Sequence, residues 1–329
     1  GLGSIFAHHL VEQYQGNLLL IGRSPLDSED GQKFKILEQL RAANTSVEYV
    51  CADVGDQRAI DAAVAVFRRN VGNINGVFHV AGVLNPTSLL DISADDFSAA
   101  MAAKLAGSES LDHATRDDIL DLFVLFSSVS SELGDFGSGS YAAANRFLDS
   151  FSRNRQQKVS AGKRHGHTVS INWPLWAGGG MAIPKEKEAL YYDAAGMQSL
   201  GSEEGLELFY LALAARSPQV WVSIGNADKI RRVLDLHRTA PAALPQHAEI
   251  AQAAIYQNSA HQNPAHQNAI HQGPDVQEPT VDDDLAIANT IRRYITALVP
   301  EHARMPENRS IPPVEFNAYA INAIMILAM

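Results

Sequence analysis

The chain has 329 residues, with 37 acidic against 26 basic side chains and a net charge of −11 at pH 7. That length holds two domains and a large core, and the negative balance argues against nucleic acid as the main partner. Cys51 is the only cysteine; this excludes an internal disulfide and a cysteine-based zinc site and fits a reducing, cytoplasmic setting. No apolar run approaches the ~20 residues of a membrane helix, and no signal peptide is expected.

In chain order, a helical stretch that begins on Gly1-Leu2-Gly3 leads into LLLIG (18–22), the first of several short apolar runs. VEYVCADV (47–54), GVFHVAG (76–82), LFVLFSS (122–128) and HTVSINW (167–173) follow, each rich in Val, Ile, Leu or Phe and bounded by Gly, Asp or Ser. Such runs read as strands of a parallel sheet buried on both faces. Between them lie helix-length segments at 29–44, 57–71, 94–114 and 138–157, and a late strand is expected at 219–225. Alternation of strand and helix predicts an α/β fold with a doubly wound parallel sheet of Rossmann type, lacking its first strand. The chain opens inside a glycine motif and closes inside an apolar stretch expected to be helical, so it reads as a piece of something longer.

From about residue 238 the composition changes. QNSAHQNPAHQNAIHQGP (257–274) repeats AHQN at a spacing of five. Polar, Pro-punctuated and poor in large apolar residues, it predicts a disordered linker over 238–281. Its regular histidines also suit metal binding, but a tract without fixed geometry favours the linker, and no metal site is assigned. LAIANTIRRYITALV (285–299) has the pattern of an amphipathic helix.

Several residues suit a dinucleotide. Gly1 and Gly3 precede a helix whose N-terminus offers amide donors and a positive dipole to a pyrophosphate; glycines that merely admit a helix would read the same. Arg23 in IGRS (21–24) stands where an acidic residue would bind the ribose hydroxyls of NAD, and an arginine there pairs instead with the 2′-phosphate of NADP. Asp53 and Val54 end a strand where a carboxylate accepts the adenine amino group, although Asp is also a common turn former. In HVAG (79–82), Ala81 and Gly82 let a backbone lie flat against a cofactor, or pack a loop tightly.

The most specific pattern is FSSVSSELGDFGSGSYAAAN (126–145). Ser128 ends a strand, Tyr141 follows thirteen residues later at a helix start, and Asn145 lies one turn beyond on the same face. Carbonyl reduction by hydride needs a proton donor to the oxygen as it becomes an alkoxide. A tyrosine can protonate that oxygen and a serine can hydrogen-bond it. Because free tyrosine has a pKa of about 10, a neighbouring cation helps.

Ser and Tyr at this spacing resemble the short-chain dehydrogenase/reductase superfamily. Most members carry Lys four residues after Tyr, where this chain has Asn145, and Asn on the preceding long helix, where this chain has Lys104. That exchange resembles the ketoreductases of modular polyketide synthases, as do FHVAGVL, YAAANRFLDSF and INWPLWAGGGM. The resemblance spans residues 1–237 and implies roles. Tyr141 is the proton donor, Ser128 the oxyanion partner and Lys104 the cation beside Tyr141, with Asn145 orienting Lys104 and a relay water. It implies NADPH as cofactor and a β-keto, or α-keto, acyl thioester carried by an acyl carrier domain, with other synthase domains as partners. It also implies a mobile lid at 173–200, hinged at Gly178, Gly179 and Gly180. Leu84-Asn85-Pro86 stands where D-forming members have Leu-Asp-Asp, and Leu133 where L-forming members often have Trp, which leans toward an L-hydroxyl. Residues 282–329 resemble the start of an acyl carrier domain, with Asn322-Ala323 in place of its Asp-Ser; Ala323 has no hydroxyl for a phosphopantetheine arm. A free-standing dehydrogenase acting on a small alcohol or ketone, and a non-catalytic fragment, remain open as alternatives.

Overall fold

The computed structural model describes residues 1–26, 31–43, 45–84, 87–134, 138–179, 185–239 and 322–326. All of them belong to one compact unit. The strands are β1 (Asn17–Gly22), β2 (Val47–Cys51), β3 (Gly76–His79), β4 (Leu122–Ser128), β5 (His167–Trp173), β6 (Gln219–Trp221) and β7 (Asn322–Ile326). The helices are α1 (Leu2–Tyr14), α2 (Gln32–Arg41), α3 (Gln57–Asn70), α4 (Ala94–Ala114), α5 (Ser130–Leu133), α6 (Gly139–Ser160), α7 (Lys185–Ala195), α8 (Ser202–Ala214) and α9 (Ala227–Thr239). The sheet is wholly parallel, in the order β2-β1-β7-β3-β4-β5-β6.

Strand periodicity divides the core into two layers. Leu18 and Leu20 of β1, with Val124 and Phe126 of β4, pack with Phe6 and Leu10 of α1, Leu37 and Leu40 of α2 and Phe209 of α8. Leu19 and Ile21, with Phe123 and Leu125, face the other way onto Ile60, Val64 and Phe67 of α3, Leu111 of α4 and Leu148 of α6. Consecutive side chains of one strand serve opposite layers, so continuous apolar runs are what such a sheet requires. The start of α3 is fixed by Asp56, whose carboxylate accepts from the amides of Arg58 and Ala59, and that of α4 by Ser93, which accepts from Asp96 N.

The doubly wound α/β sheet agrees with the sequence reading. Two expectations change. The sheet does not lack its central strand: Asn322–Ile326 lies between β1 and β3, with Leu19 opposite Ile324 and Val77 opposite the same residue. The helical expectation for this part of the 282–329 segment is thereby corrected, and Asn322-Ala323 opens a strand instead of heading a carrier helix. The physical reason is the slot itself. β1 and β3 each present a row of buried N–H and C=O groups that must be paired, and NAIMI is an uncharged, largely apolar run that suits a centre buried on both faces. The helices α8 and α9 add to the expected elements, and α9 runs two residues past the expected domain end at 237. The linker beyond Thr239 and the amphipathic segment at 285–299 lie outside the described residues.

Proline at 324 would remove one ladder donor from a central strand. Ile324→Pro is therefore expected to lower the thermal unfolding midpoint by several degrees, at roughly 2–4 °C per kcal/mol for a domain of this size. An unchanged midpoint in a calorimetric scan would show that β7 contributes nothing to the sheet.

Candidate active site

The carboxyl ends of the strands form one edge of the sheet, which is where open α/β folds bind ligands. β4 ends there at Ser128, which is half-buried. Its hydroxyl accepts from Ser130 N at 3.2 Å, and Val129 N donates to the Trp173 carbonyl at the end of β5 at 3.0 Å. The chain then makes the single turn of α5 before α6 begins. Tyr141 lies in the first turn of α6 and is half-buried. Asn145, one turn later, is fully buried and donates through Nδ2 to the Tyr141 carbonyl at 2.9 Å. The Ser127 hydroxyl donates to the Asn145 carbonyl at 3.1 Å, tying β4 to α6. Asn145 Oδ1 is buried with no hydrogen-bond partner among the described residues.

Lys104 comes from the middle of α4 and is 3% exposed. Its ammonium donates to the Phe126 carbonyl at 2.8 Å, two residues before Ser128. Gly82 makes room for it, and Gly107 lets its helix approach Val54 and His79. A Cβ on Gly82, just past β3, would stand 3.0 Å from Lys104 Cε and 3.3 Å from Nζ. A Cβ on Gly107, one turn along α4, would meet Val54 Cγ1 at 2.8 Å. The second contact is closer than real Cβ atoms approach, so α4 lies against Val54 only because residue 107 has no side chain. Burial pushes the ammonium down to about 7, and the carboxylate of Asp149 works against that shift. His79, fully buried, is held down to about 3 by burial first and by the Lys104 cation second, and is therefore neutral at ordinary pH.

The expected cofactor residues share the same edge. Arg23 is exposed directly after β1. Asp53 is exposed after β2, and its Oδ1 accepts from Gly55 N at 2.8 Å, so the turn-forming role is realised. Val54 is core, at 3% exposure, and Ala81 is buried after β3. Gly1 caps α1 without a side-chain hydrogen bond, and the first turn carries no acidic residue, which leaves the helix N-terminus suited to an anion.

Comparison with known proteins decides the family. The profile of the KR domain matches residues 1–178. The chain belongs to the KR domain family. Polyketide synthase PksN of Bacillus subtilis is 35% identical over 243 residues, covering 73% of this chain and 4% of that protein. Erythronolide synthase EryA3 of Saccharopolyspora erythraea is 34% identical over 255 residues, covering 77% of this chain and 8% of that protein. The chain thus spans a small part of the curated relatives it matches. Among solved structures, a ketoreductase domain from the bacillaene assembly line aligns with a TM-score of 0.68 at 35% identity, covering 71% of this chain and 55% of that one. An N-terminal ketoreductase from the macrolactin assembly line aligns at 0.63 and 32% identity, covering 71% and 44%. This is a ketoreductase domain of polyketide synthase type, from an oxidoreductase family.

In this ketoreductase domain the segment expected as a lid is closed at its base. Ala177 N donates to the Leu200 carbonyl at 2.9 Å, Leu200 N to the Leu175 carbonyl at 2.7 Å, and Gln198 N to the Ile224 carbonyl at 2.9 Å. Gly178 has φ of +80°, a left-handed conformation suited to glycine at a turn; Gly180 lies outside the described residues. Asn85 and Pro86 also lie outside them, while Leu133 packs in a small cluster around Met197. Among the described residues no helix is long and apolar enough to cross a membrane.

Sequence reasoning passes over a polar column behind the site. Thr168, Ser170 and Asn172 alternate along β5 and are all buried, facing α6. Ser170 and Asn172 meet Asp149, and Thr168 accepts from Arg155 at 2.7 Å. The signal that could reveal it is polar residues at every second position of an otherwise apolar strand, opposite an aspartate two turns after Tyr141.

Because Lys104 holds its proton less tightly in the fold than in the unfolded chain, the fold gains stability as pH rises from about 7 toward the ordinary lysine range. The expected slope is about 1.4 kcal/mol per pH unit over that window. Lys104→Met should flatten it in denaturant titrations at pH 7 and 9, and a slope unchanged by the substitution would contradict the buried cation.

Proposed function

We propose that this domain, within a longer synthase, uses NADPH to reduce a β-keto, or α-keto, acyl thioester delivered on an acyl carrier domain. The observation that carries the reading is the buried ammonium of Lys104, held at the carboxyl end of β4 just behind Ser128 and the helix that bears Tyr141. An ammonium is costly to bury, and a site that stabilises a phenolate is a chemical use for one.

Gly1 and Gly3 at the head of α1 would receive the pyrophosphate, Arg23 the 2′-phosphate, Asp53 and Val54 the adenine, and Ala81 and Gly82 the flat face of the cofactor. The exposed guanidinium after β1 and the uncapped start of α1 fit such a dianionic group. Bound, the reduced nicotinamide supplies the hydride. Ser128 donates a hydrogen bond to the substrate carbonyl oxygen, and Tyr141 donates its phenolic proton to that oxygen as negative charge develops. The Lys104 cation lowers the cost of the resulting phenolate. Asn145, whose buried Oδ1 has no partner among the described residues, would orient Lys104 and a water that returns a proton to Tyr141.

The test supplies NADPH and a β-ketoacyl thioester and follows loss of reduced nicotinamide. Tyr141→Phe should reduce turnover by roughly 10²-fold or more while cofactor binding, measured by fluorescence titration, stays the same. With Lys104 pushed down to about 7, the reduction rate should be flat below that pH and fall above it. Reduction of free ketones but not thioesters would favour a free-standing dehydrogenase, and absence of any cofactor binding would favour a non-catalytic fragment.

A further inference from the structure

Asp149 has no part in the chemistry just described, yet it is fully buried on α6, two turns beyond Tyr141. Its surroundings differ from those of the other buried aspartates among the described residues. Asp112 is paired with Arg155 and Arg164, and Asp118 with Arg68. Asp149 carries no such ion pair among the described residues and is met by neutral donors. The Ser131 hydroxyl donates to Oδ2 at 2.6 Å and the Ser170 hydroxyl to Oδ1 at 2.6 Å. Asn172 Nδ2 lies 3.1 Å from Oδ1 and 3.0 Å from Oδ2, and it also reaches Ser131 Oγ at 2.7 Å and Ser127 Oγ at 3.2 Å. The Asn172 amide is itself oriented by Gln219, whose Nε2 donates to Asn172 Oδ1 at 3.1 Å.

Every group turned toward the carboxylate is a donor, so the arrangement selects the anion, although burial pushes its proton affinity up. An uncharged side chain would spare the cost of burying a charge. What the anion adds is convergence. Ser131 belongs to the single turn between Ser128 and Tyr141, Ser170 and Asn172 belong to β5, and the carboxylate belongs to the Tyr141 helix. α5 is too short to hold its own place. It is further tied by the Ser128–Ser130 turn, by the Val129–Trp173 bond and by Glu132, which binds Arg146 and Gln219.

We propose that Asp149 is a positioning residue for the reducing site, an anionic hub that holds the Ser128 turn at a fixed place against the Tyr141 helix. The inference rests on the reductase reading for its catalytic consequence, but its structural part stands independently. Asp149 also faces the Lys104 cation from α4 and the Arg153 guanidinium from its own helix, so it bears on the charge balance of the site as well as its shape.

The test compares the full chain with Asp149→Asn, Ser131→Ala and the exchanged pair Asp149→Asn with Asn172→Asp. Hydrogen exchange resolved by residue is measured alongside reduction kinetics. In Asp149→Asn an amide N–H would confront the Ser131 and Asn172 donors. Exchange at residues 128–133 should rise by roughly tenfold while the sheet core is unaffected. The value of kcat should fall by about 10- to 100-fold with the KM for cofactor unchanged. Ser131→Ala, which leaves Asp149 its Ser170 and Asn172 donors, should reproduce the local loosening, and the exchanged pair should recover part of both losses. Unaltered exchange and kcat in Ser131→Ala overturns the proposal, as does a loss in Asp149→Asn spread evenly over the domain with no recovery in the exchanged pair. Should the wild-type chain reduce no keto thioester while residues 128–133 still loosen in the variants, the positioning role stands and the reductase reading falls.

Discussion

The site depends on one unfavourable act made tolerable: an ammonium is placed in the interior of an α/β fold. Lys104 is almost wholly out of water, and among the described residues its compensation is a single backbone carbonyl and a carboxylate further off. A buried cation with so few partners loses its proton more readily than any surface lysine. Gly82 leaves room for its charged end, and Gly107 lets α4 approach Val54 and His79 with no side chain between. Fold and chemistry meet at Gly82, where a side chain would crowd the end of Lys104.

Around that cation the architecture distributes roles by layer. The face carrying α1, α2 and α8 is apolar and aromatic, with Phe6 packed edge-on against both Phe126 and Phe209. The face carrying α4 and α6 mixes apolar contacts with polar columns: Arg155 joined to Asp112 and Thr168, and Asp149 joined to Ser131, Ser170 and Asn172. The dry face supplies cohesion through area removed from water. The polar face supplies direction, because hydrogen bonds in a low-dielectric interior fix orientation as well as position. Lys104, Tyr141 and Asn145 belong to the helices of the second face, and Ser128 stands at the end of β4 beside them.

Much of this architecture is legible in the amino-acid sequence alone. The first five strands are legible because each is an apolar run of strand length closed by Gly, Asp or Ser, and α6 because SYAAANRFLDSF has helical periodicity. Tyr141, Ser128, Asn145 and Lys104 stand out through their spacing, and the roles proposed for them rest on the family resemblance. The strand at 322–326 is not, because NAIMI suits a helix as well as a strand and only the open slot between β1 and β3 decides the matter; a tertiary partner overrides local preference. Asp149 escapes for a related reason. Its importance lies in serine and asparagine side chains from segments that meet it only in three dimensions, and one aspartate within a helix carries no mark of burial.

The position of β7 bears on the order in which the molecule assembles. Asn17 lies opposite Asn322, so the middle of the sheet joins segments from nearly opposite ends of the sequence. Closing so long a loop adds little to the equilibrium cost, since each doubling of length adds about 0.6 kcal/mol. Its kinetic weight is larger, because distant pairings form slowly. Two half-sheets, β1 with β2 and β3 through β6, can each ripen early around their own helices. Until the final strand arrives, both expose an unsatisfied inner margin, which makes the last step of folding also the one most open to capture by a foreign strand.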